Sequence, residues 1–485
     1  MTQHERIPRR PGLLLSLTPV LLLVLMLAYT VLRAKGPVQI PLLLATAFAA
    51  GVAAFLGYTW KEIEHGIMHG IGVALPACLI LMVIGVLIGA WMQAGIVPAM
   101  VYYGLQLLNP GWFLFLSCFI CSIISLATGS SWSTAATVGV ALIGVGNALQ
   151  VPVGMTAGAV ISGAYFGDKM SPLSDTTNLS PAVAGTDLFS HVRHMVYTTA
   201  PSLVIALTLY GILGWRFRGN TLDLSNVQVM LDALDANFSI SPWLLLVPAG
   251  VIAMVLLRIA AMPALFAGSV LGGLTALLVQ PGAGMREVFD VAFNGYVSST
   301  GIETVDTLLT RGGMGSMMGT VALIFCALAF GGVMEKSGML GALAEGILKL
   351  AHSTGSLVAA TIATCIGMNL IASDQYMAIV IPGRMYREAY RKRGLHPKNL
   401  SRCLEDAGTL TSPLVPWNTC GAFMHAALGV SPIVYLPFAF LNLINPVVSV
   451  FYGYTGITMA PLDPDDRPTG TVRAAVPAEA IEPAS

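Results

Sequence analysis

Ser171-Pro-Leu-Ser-Asp-Thr-Thr-Asn178 and Ser412-Pro-Leu-Val-Pro-Trp-Asn-Thr419 share an opening Ser-Pro-Leu and a run of hydroxyl and amide side chains. Each stands where the surrounding hydrophobicity calls for a membrane helix. Residues 152–190 and 397–428 are long enough for helices, yet Pro, Gly, Ser, Thr, Asn and Asp interrupt both. Lipid cannot satisfy an unwound backbone, so such a break must be buried in protein or line an aqueous cavity. Two broken helices at corresponding places in two halves point to a transporter whose binding site lies near the midplane.

The remaining sequence supports that setting. Hydrophobic residues make up 55% of the 485 and charged residues 10%, whereas soluble domains carry roughly 25% charged residues. Mean hydropathy is +0.77. The expected fold class is an all-α polytopic membrane protein. Balanced charge, 24 Lys and Arg against 24 Asp and Glu, gives no reason to expect nucleic acid. Seven cysteines lie without the paired spacing of a zinc site or disulfide framework and read as small packing residues. The apolar run from Leu13 to Leu32 follows Arg6, Arg9 and Arg10. It is too long for a signal-peptide core, so it reads as a first span with the N-terminus in the cytoplasm.

Spans are expected near 13–33, 38–58, 73–92, 111–128, 131–148, 195–215, 242–258, 261–280, 316–334, 354–371, 374–390 and 431–452. With the broken regions this makes twelve to fourteen crossings, re-entrant hairpins included, and both termini inside. The loop 384–402, with seven Lys and Arg against one acidic residue, then faces the cytoplasm. Stretches 61–72 and 97–108 read as interfacial or re-entrant, and the tail from Pro461 as disordered.

An offset of 243 matches Gly89 with Gly332, Gly95 with Gly338 and Ser130 with Ser373, and an offset of 241 matches the two Ser-Pro-Leu copies. The order is kept, which implies a repeat. Seven crossings in each half would invert the second half relative to the first. The expected organisation is a cytoplasmic segment 1–12, a first repeat 13–215, a connecting loop 216–241, a second repeat 242–452 and a cytoplasmic tail 453–485.

Oxygen-bearing side chains converge on the first break: Asp168, Ser171, Asp175, Thr176, Thr177 and Asn178. A small hard cation takes such ligands, with unwound carbonyls supplying the rest. The plainer reading is hydroxyls bonding i−4 carbonyls around a proline kink, with Lys169 neutralising one aspartate. A carboxylate in a membrane segment costs about 2.5–3.5 kcal/mol on insertion scales, which favours a functional role, above all for Asp175. The second break offers Thr411, Ser412, Asn418 and Thr419 as neutral ligands. Glu405 is weighed equally as an answer to the basic loop, and His425 reads as a core histidine. A further polar pair, Ser130 and Ser131 against Ser373 and Asp374, is either a pair of capped turns or part of the ion pathway.

The stretches Ala127-Thr-Gly-Ser-Ser-Trp-Ser-Thr-Ala135 and Gly163-Ala-Tyr-Phe-Gly-Asp-Lys-Met-Ser-Pro-Leu-Ser-Asp-Thr-Thr-Asn178 resemble the signature of NhaC sodium/proton antiporters, within the ion transporter superfamily. The likeness runs from Trp60-Lys-Glu-Ile-Glu64 to Pro413-Leu-Val-Pro-Trp-Asn418. It implies exchange of Na+ for H+ across a bacterial inner membrane by alternating access on two inverted repeats, with no cofactor. The family is also similar to malate/lactate antiporters, which keeps a small carboxylate as the alternative cargo. An intramembrane hydrolase using Ser130 or Ser131 is a remote third class, since no histidine is placed beside either. Partners are then sodium ions, protons and the lipid bilayer, with a homodimer left open.

Overall fold

The computed structural model describes residues 8–34, 36–107, 109–217, 224–257 and 259–462. Most of these are helical. The tail from residue 463 and the first seven residues, Arg6 among them, lie outside the described residues.

Two long helices, Trp60–Gln93 and Met314–Lys336, form a spine. They run antiparallel. Gly66 packs on Gly332 and Lys336, Gly70 on Leu328 and Gly332, and Gly85 and Gly89 on Gly313. Small residues let the two backbones approach closely, and the Gly313 amide donates to the Gly85 carbonyl at 2.7 Å. The polar stretch 61–72, expected at the interface, is instead the first turns of this 34-residue helix, opened by a capping box between Thr59 and Glu62. Its glycines face the partner helix while Glu64, His65 and His69 are exposed.

Each half then folds a hairpin. Pro110–Thr128 returns through the helical segment 131–148, which brings Gly146 against Phe113. Thr354–Ile371 turns into Gln375–Lys392. Four expected spans are therefore the legs of two hairpins. At the first tip Gly129 is left-handed (φ 71°) and Ser130 extended (φ −142°), and at the second Ser373 is left-handed (φ 58°) and Asp374 extended (φ −141°). The tips therefore correspond at an offset of 244 (374 − 130), one residue from the register drawn on side-chain identity. Backbone shape, rather than residue type, carries the equivalence.

Both expected breaks are present. Val153–Met170 ends at extended Ser171, because Pro172 disfavours a helical predecessor, and the chain resumes as Asp175–Ala184, closed by left-handed Gly185. Gly163 and Gly167 of this helix press on Cys118, Cys121, Ser125 and Leu126 of the first hairpin. The second broken helix runs from Pro397 through a π-helical stretch, Leu404–Thr409, to Thr411. A short 3-10 turn, Ser412–Leu414, and an irregular link precede Thr419–Leu428.

Among the described residues six helices are individually long and apolar enough to cross a membrane, or eight if each of two bent pairs counts as one. The expected crossings outnumber these because Leu13–Tyr29 and Gln39–Phe55 stop at 17 residues and the broken helices are split. The expected span 431–452 is divided at Ala439 into Pro432–Phe438 and Phe440–Thr455. The expected loop 216–241 contains the helix Leu224–Asn237. Both described ends meet the same face: Pro11 packs near Gly338, Tyr454 packs on Gly355, and the Leu462 amide donates to the Gly394 carbonyl.

A Cβ on Gly85 would lie 2.6 Å from the Gly313 oxygen and 2.7 Å from Met317. Gly85→Leu is expected to cost about 1–3 kcal/mol through overpacking, read as a lower melting midpoint of the detergent-solubilised protein. Gly211→Ala, which meets open space, should leave the midpoint unchanged or slightly raised.

Candidate functional site

A cavity of about 630 Å³ lies where the two hairpin tips, the first break and the spine helix Trp60–Gln93 converge. Three carboxylates line it: Asp168, Asp175 and Asp374. Among the described residues no lysine or arginine does.

Asp168 ends the first half of its broken helix and is 8% exposed. The Ser131 hydroxyl of the hairpin tip donates to one of its oxygens at 2.7 Å, and the Ser174 hydroxyl of the break donates to the other at 2.7 Å. Thr176 lies 3.1 Å from Ser174. Asp175, the leading carboxylate of the sequence reading, opens the next helix and is exposed on the cavity wall, where the positive end of the helix dipole favours it. Asp374 caps the return leg of the second hairpin. It accepts from the backbone amides of Tyr376 (2.9 Å) and Met377 (3.1 Å), and the Thr419 hydroxyl of the second break lies 3.4 Å away.

The two pairs of hairpin tip and break thus carry these groups in exchanged places. In the first, the broken helix carries the carboxylate and the hairpin tip the hydroxyl; in the second, the tip carries the carboxylate and the resumed helix the hydroxyl. The second half is therefore not merely a donor of neutral oxygens. Among the described residues no three His, Cys, Asp or Glu side chains are grouped as a metal site. A bound cation would have to share the carboxylates with hydroxyls and carbonyls.

Other sequence-named residues hold the breaks in shape. Thr177 donates to the freed carbonyls of Asp168 and Lys169, and Asn178 to those of Pro172 and Ser174. The Ser171 hydroxyl accepts from the Leu173 amide. Thr411 donates to the Ala407 carbonyl and accepts from Asn369, while Asn418 donates to the Asn369 side chain at 3.0 Å. Ser130 caps its own helix through the Ser133 amide. Ser373 gives its carbonyl to the Thr419 amide, and its buried hydroxyl has no hydrogen-bond partner. Gln375, beside the second tip, also lines the cavity. Its oxygen accepts from the Ser412 hydroxyl (2.9 Å) and the Cys420 thiol (2.8 Å). The Ser130 and Ser131 hydroxyls are thus engaged with the Ser133 amide and with Asp168.

Three further expectations change. Lys169 pairs not with an aspartate of its own motif but with Asp406 of the other half. Glu405 is buried and accepts from Ser180 (2.7 Å) rather than answering the basic loop. His425 is exposed, because the opposite side of Thr419–Leu428 carries the buried Phe423 and Met424.

Lys169 and Asp406 belong to a polar seam between the halves. Arg402 approaches the second Asp406 oxygen at 3.7 Å, and Thr198 (3.0 Å) and Asn445 (2.6 Å) donate to the first. His194 bonds Arg402 and Asn399, and His191 bonds Ser401. Near the tips Trp132 stacks on Phe423 of the other half at 3.9 Å. Asp406→Leu alone leaves Lys169 and Arg402 buried without their anion and is expected to cost about 3–5 kcal/mol, whereas Lys169→Met leaves Asp406 with Arg402 at 3.7 Å and should cost less. The double variant Lys169→Met with Asp406→Leu should recover much of the loss, measured as a double-mutant cycle of unfolding midpoints.

The sequence pattern of the Na+/H+ antiporter family matches residues 163–457. The Na(+)/H(+) antiporter NhaC of Alkalihalophilus pseudofirmus is 40% identical over 446 residues, covering 92% of this chain and 96% of that protein. NhaC of Bacillus subtilis is 42% identical over 416 residues, covering 86% and 92%. The malate-2H(+)/Na(+)-lactate antiporter of Bacillus subtilis is 37% identical over 434 residues, covering 90% and 92%. With matches of this length at both levels, the chain belongs to the NhaC family of Na+/H+ antiporters.

Proposed function

We propose that this multi-pass membrane protein exchanges sodium for protons by alternating access, with the cavity of Asp168, Asp175 and Asp374 as the cation site. The observation that carries this reading is Asp168. It is a buried carboxylate at a helix break, with hydroxyls from a hairpin tip and from the break on its two oxygens. Three carboxylates facing one cavity repel one another, and only bound cations or protons relieve that repulsion. Either ion therefore neutralises the site and lets it cross the membrane interior. The relatives named NhaC support the same cargo.

The inverted repeat over 13–215 and 242–452 belongs to this reading. An offset of 243 carries Gly89 to Gly332 and Gly70 to Gly313 (89 + 243 and 70 + 243). The contacts Gly89 with Gly313 and Gly70 with Gly332 therefore exchange with each other. An antiparallel pair that exchanges in this way is what a two-fold axis in the membrane plane produces. The termini are assigned to the cytoplasmic face of a bacterial cell membrane, since both described ends share a face with the basic loop 384–402.

In proteoliposomes an imposed sodium gradient should drive proton movement, with apparent sodium affinity rising with pH because sodium needs the deprotonated carboxylates. Asp168→Asn should abolish this flux. Asp175→Asn should weaken sodium binding about tenfold, roughly 1.4 kcal/mol, and full retention of flux in that variant would remove Asp175 from the site. Exchange of a small carboxylate is the second reading, favoured by the malate/lactate relative and by a cavity roomier than a bare ion needs. Against it stand the three aspartates of the lining. Saturable uptake of labelled malate or lactate, dependent on the sodium gradient, would overturn the preferred cargo.

A further inference from the structure

Among the described residues Glu405 is the one fully buried carboxylate that does not line the cation cavity and has no salt bridge. It lies on the π-helical stretch Leu404–Thr409 of the second broken helix and is fully buried. One oxygen accepts the Ser180 hydroxyl of the first broken helix at 2.7 Å, and the other has no hydrogen-bond partner. The neighbouring cations are engaged elsewhere: Lys169 pairs with Asp406, and Arg402 lies 3.7 Å from the same carboxylate while bonding His194 and Thr458.

The charged and titratable groups around Glu405 come from several elements. The helix Val153–Met170 supplies Lys169 and Asp168, its own helix supplies Arg402, Cys403 and Asp406, and the second hairpin supplies Cys365, Tyr386 and Tyr390. The helices Asp175–Ala184 and Phe440–Thr455 present Ser180 and Asn445 to this region, and neither titrates. Lys169, Arg402 and Asp406 together leave one surplus positive charge. A protonated Glu405 avoids burying an unpaired anion, and a deprotonated one cancels the surplus. Both forms are therefore accessible at one position, as a proton carrier requires. Ordinary structural carboxylates such as Asp406 are held in one form by direct ion pairs.

We propose that Glu405 is a proton-binding site separate from the sodium cavity, so that the second broken helix carries a proton in addition to those that alternate with sodium in the cavity. The proposal rests on the sodium/proton reading for its place in the cycle. The protonated side chain itself is detectable without transport. In purified protein the infrared carbonyl stretch of a buried carboxylic acid should be present at neutral pH, vanish in Glu405→Gln and shift in Ser180→Ala. In proteoliposomes Glu405→Gln should keep equilibrium 22Na+ binding while losing protons moved per sodium, and Glu405→Asp should restore part of that coupling. An unchanged carbonyl band in both variants, or unchanged proton coupling in Glu405→Gln, would overturn the proposal. Loss of sodium binding in Glu405→Gln would do the same, placing Glu405 in the cation site. Should Glu405→Gln not fold, Ser180→Ala decides alone, since an unshifted band means no protonated acid at this position. Absence of sodium-driven flux in the wild-type protein would count against the exchange reading and leave the infrared result standing.

Discussion

A backbone that leaves its helix inside a membrane must find its hydrogen bonds within the protein, and the arrangement of this fold follows from that requirement. Each break is stitched to the hairpin tip of its own half. Gly129 sits close against Leu173 and Ser174, while Ser373 and Asn369 meet Thr419 and Asn418. The side chains best suited to the task are short hydroxyls and amides, which reach freed carbonyls without bulk. Those same groups ligate hard cations. Closing the backbone and forming a polar cavity therefore come from one set of residues, and several that looked like ligands, Thr177 and Asn178 among them, are engaged in the first task.

The two halves reach a similar geometry with different chemistry, and this gives the cavity its character. Had both broken helices placed a carboxylate at the cavity, the cavity would carry one more anion. Instead position 409, the counterpart of Asp168 at an offset of 241, is Thr409, and the second carboxylate moves to the tip as Asp374. There the backbone amides of Tyr376 and Met377 hold it. A helix N-terminus accommodates such a charge with less need of a cation. The charged seam behind the cavity, centred on Lys169 and Asp406, ties the first broken helix to the second. Removing Asp406 is costly because it leaves Lys169 and Arg402 buried without the anion they share.

The chain's composition and the two Ser-Pro-Leu breaks were sufficient to read a helical membrane protein with polar breaks. Those properties depend on local chemistry: proline and hydroxyls interrupt a helix wherever they stand. The same reading named Asp168, Ser131 and Asp374, because a polar side chain in an apolar stretch is conspicuous in one dimension. It did not identify which expected spans are hairpin legs, since a leg and a span have the same length and hydrophobicity. Only the turn at Gly129 or Ser373, closed against a neighbouring helix, distinguishes them.

Partnership was decided by the tertiary structure alone. Lys169 lies seven residues before Thr176 and beside Asp168 in sequence, yet its charge is answered by Asp406, far along the chain. Glu405 follows a basic loop but turns inward to Ser180. The two adjacent acids diverge because the π-helical stretch and the crossing of the two broken helices present them to different neighbours. In a low-dielectric interior the partner determines whether a carboxylate is fixed as an anion or left open to a proton. Residue types and their spacing determined that the chain would bury charge in the membrane. Which charges meet was set by how the halves cross.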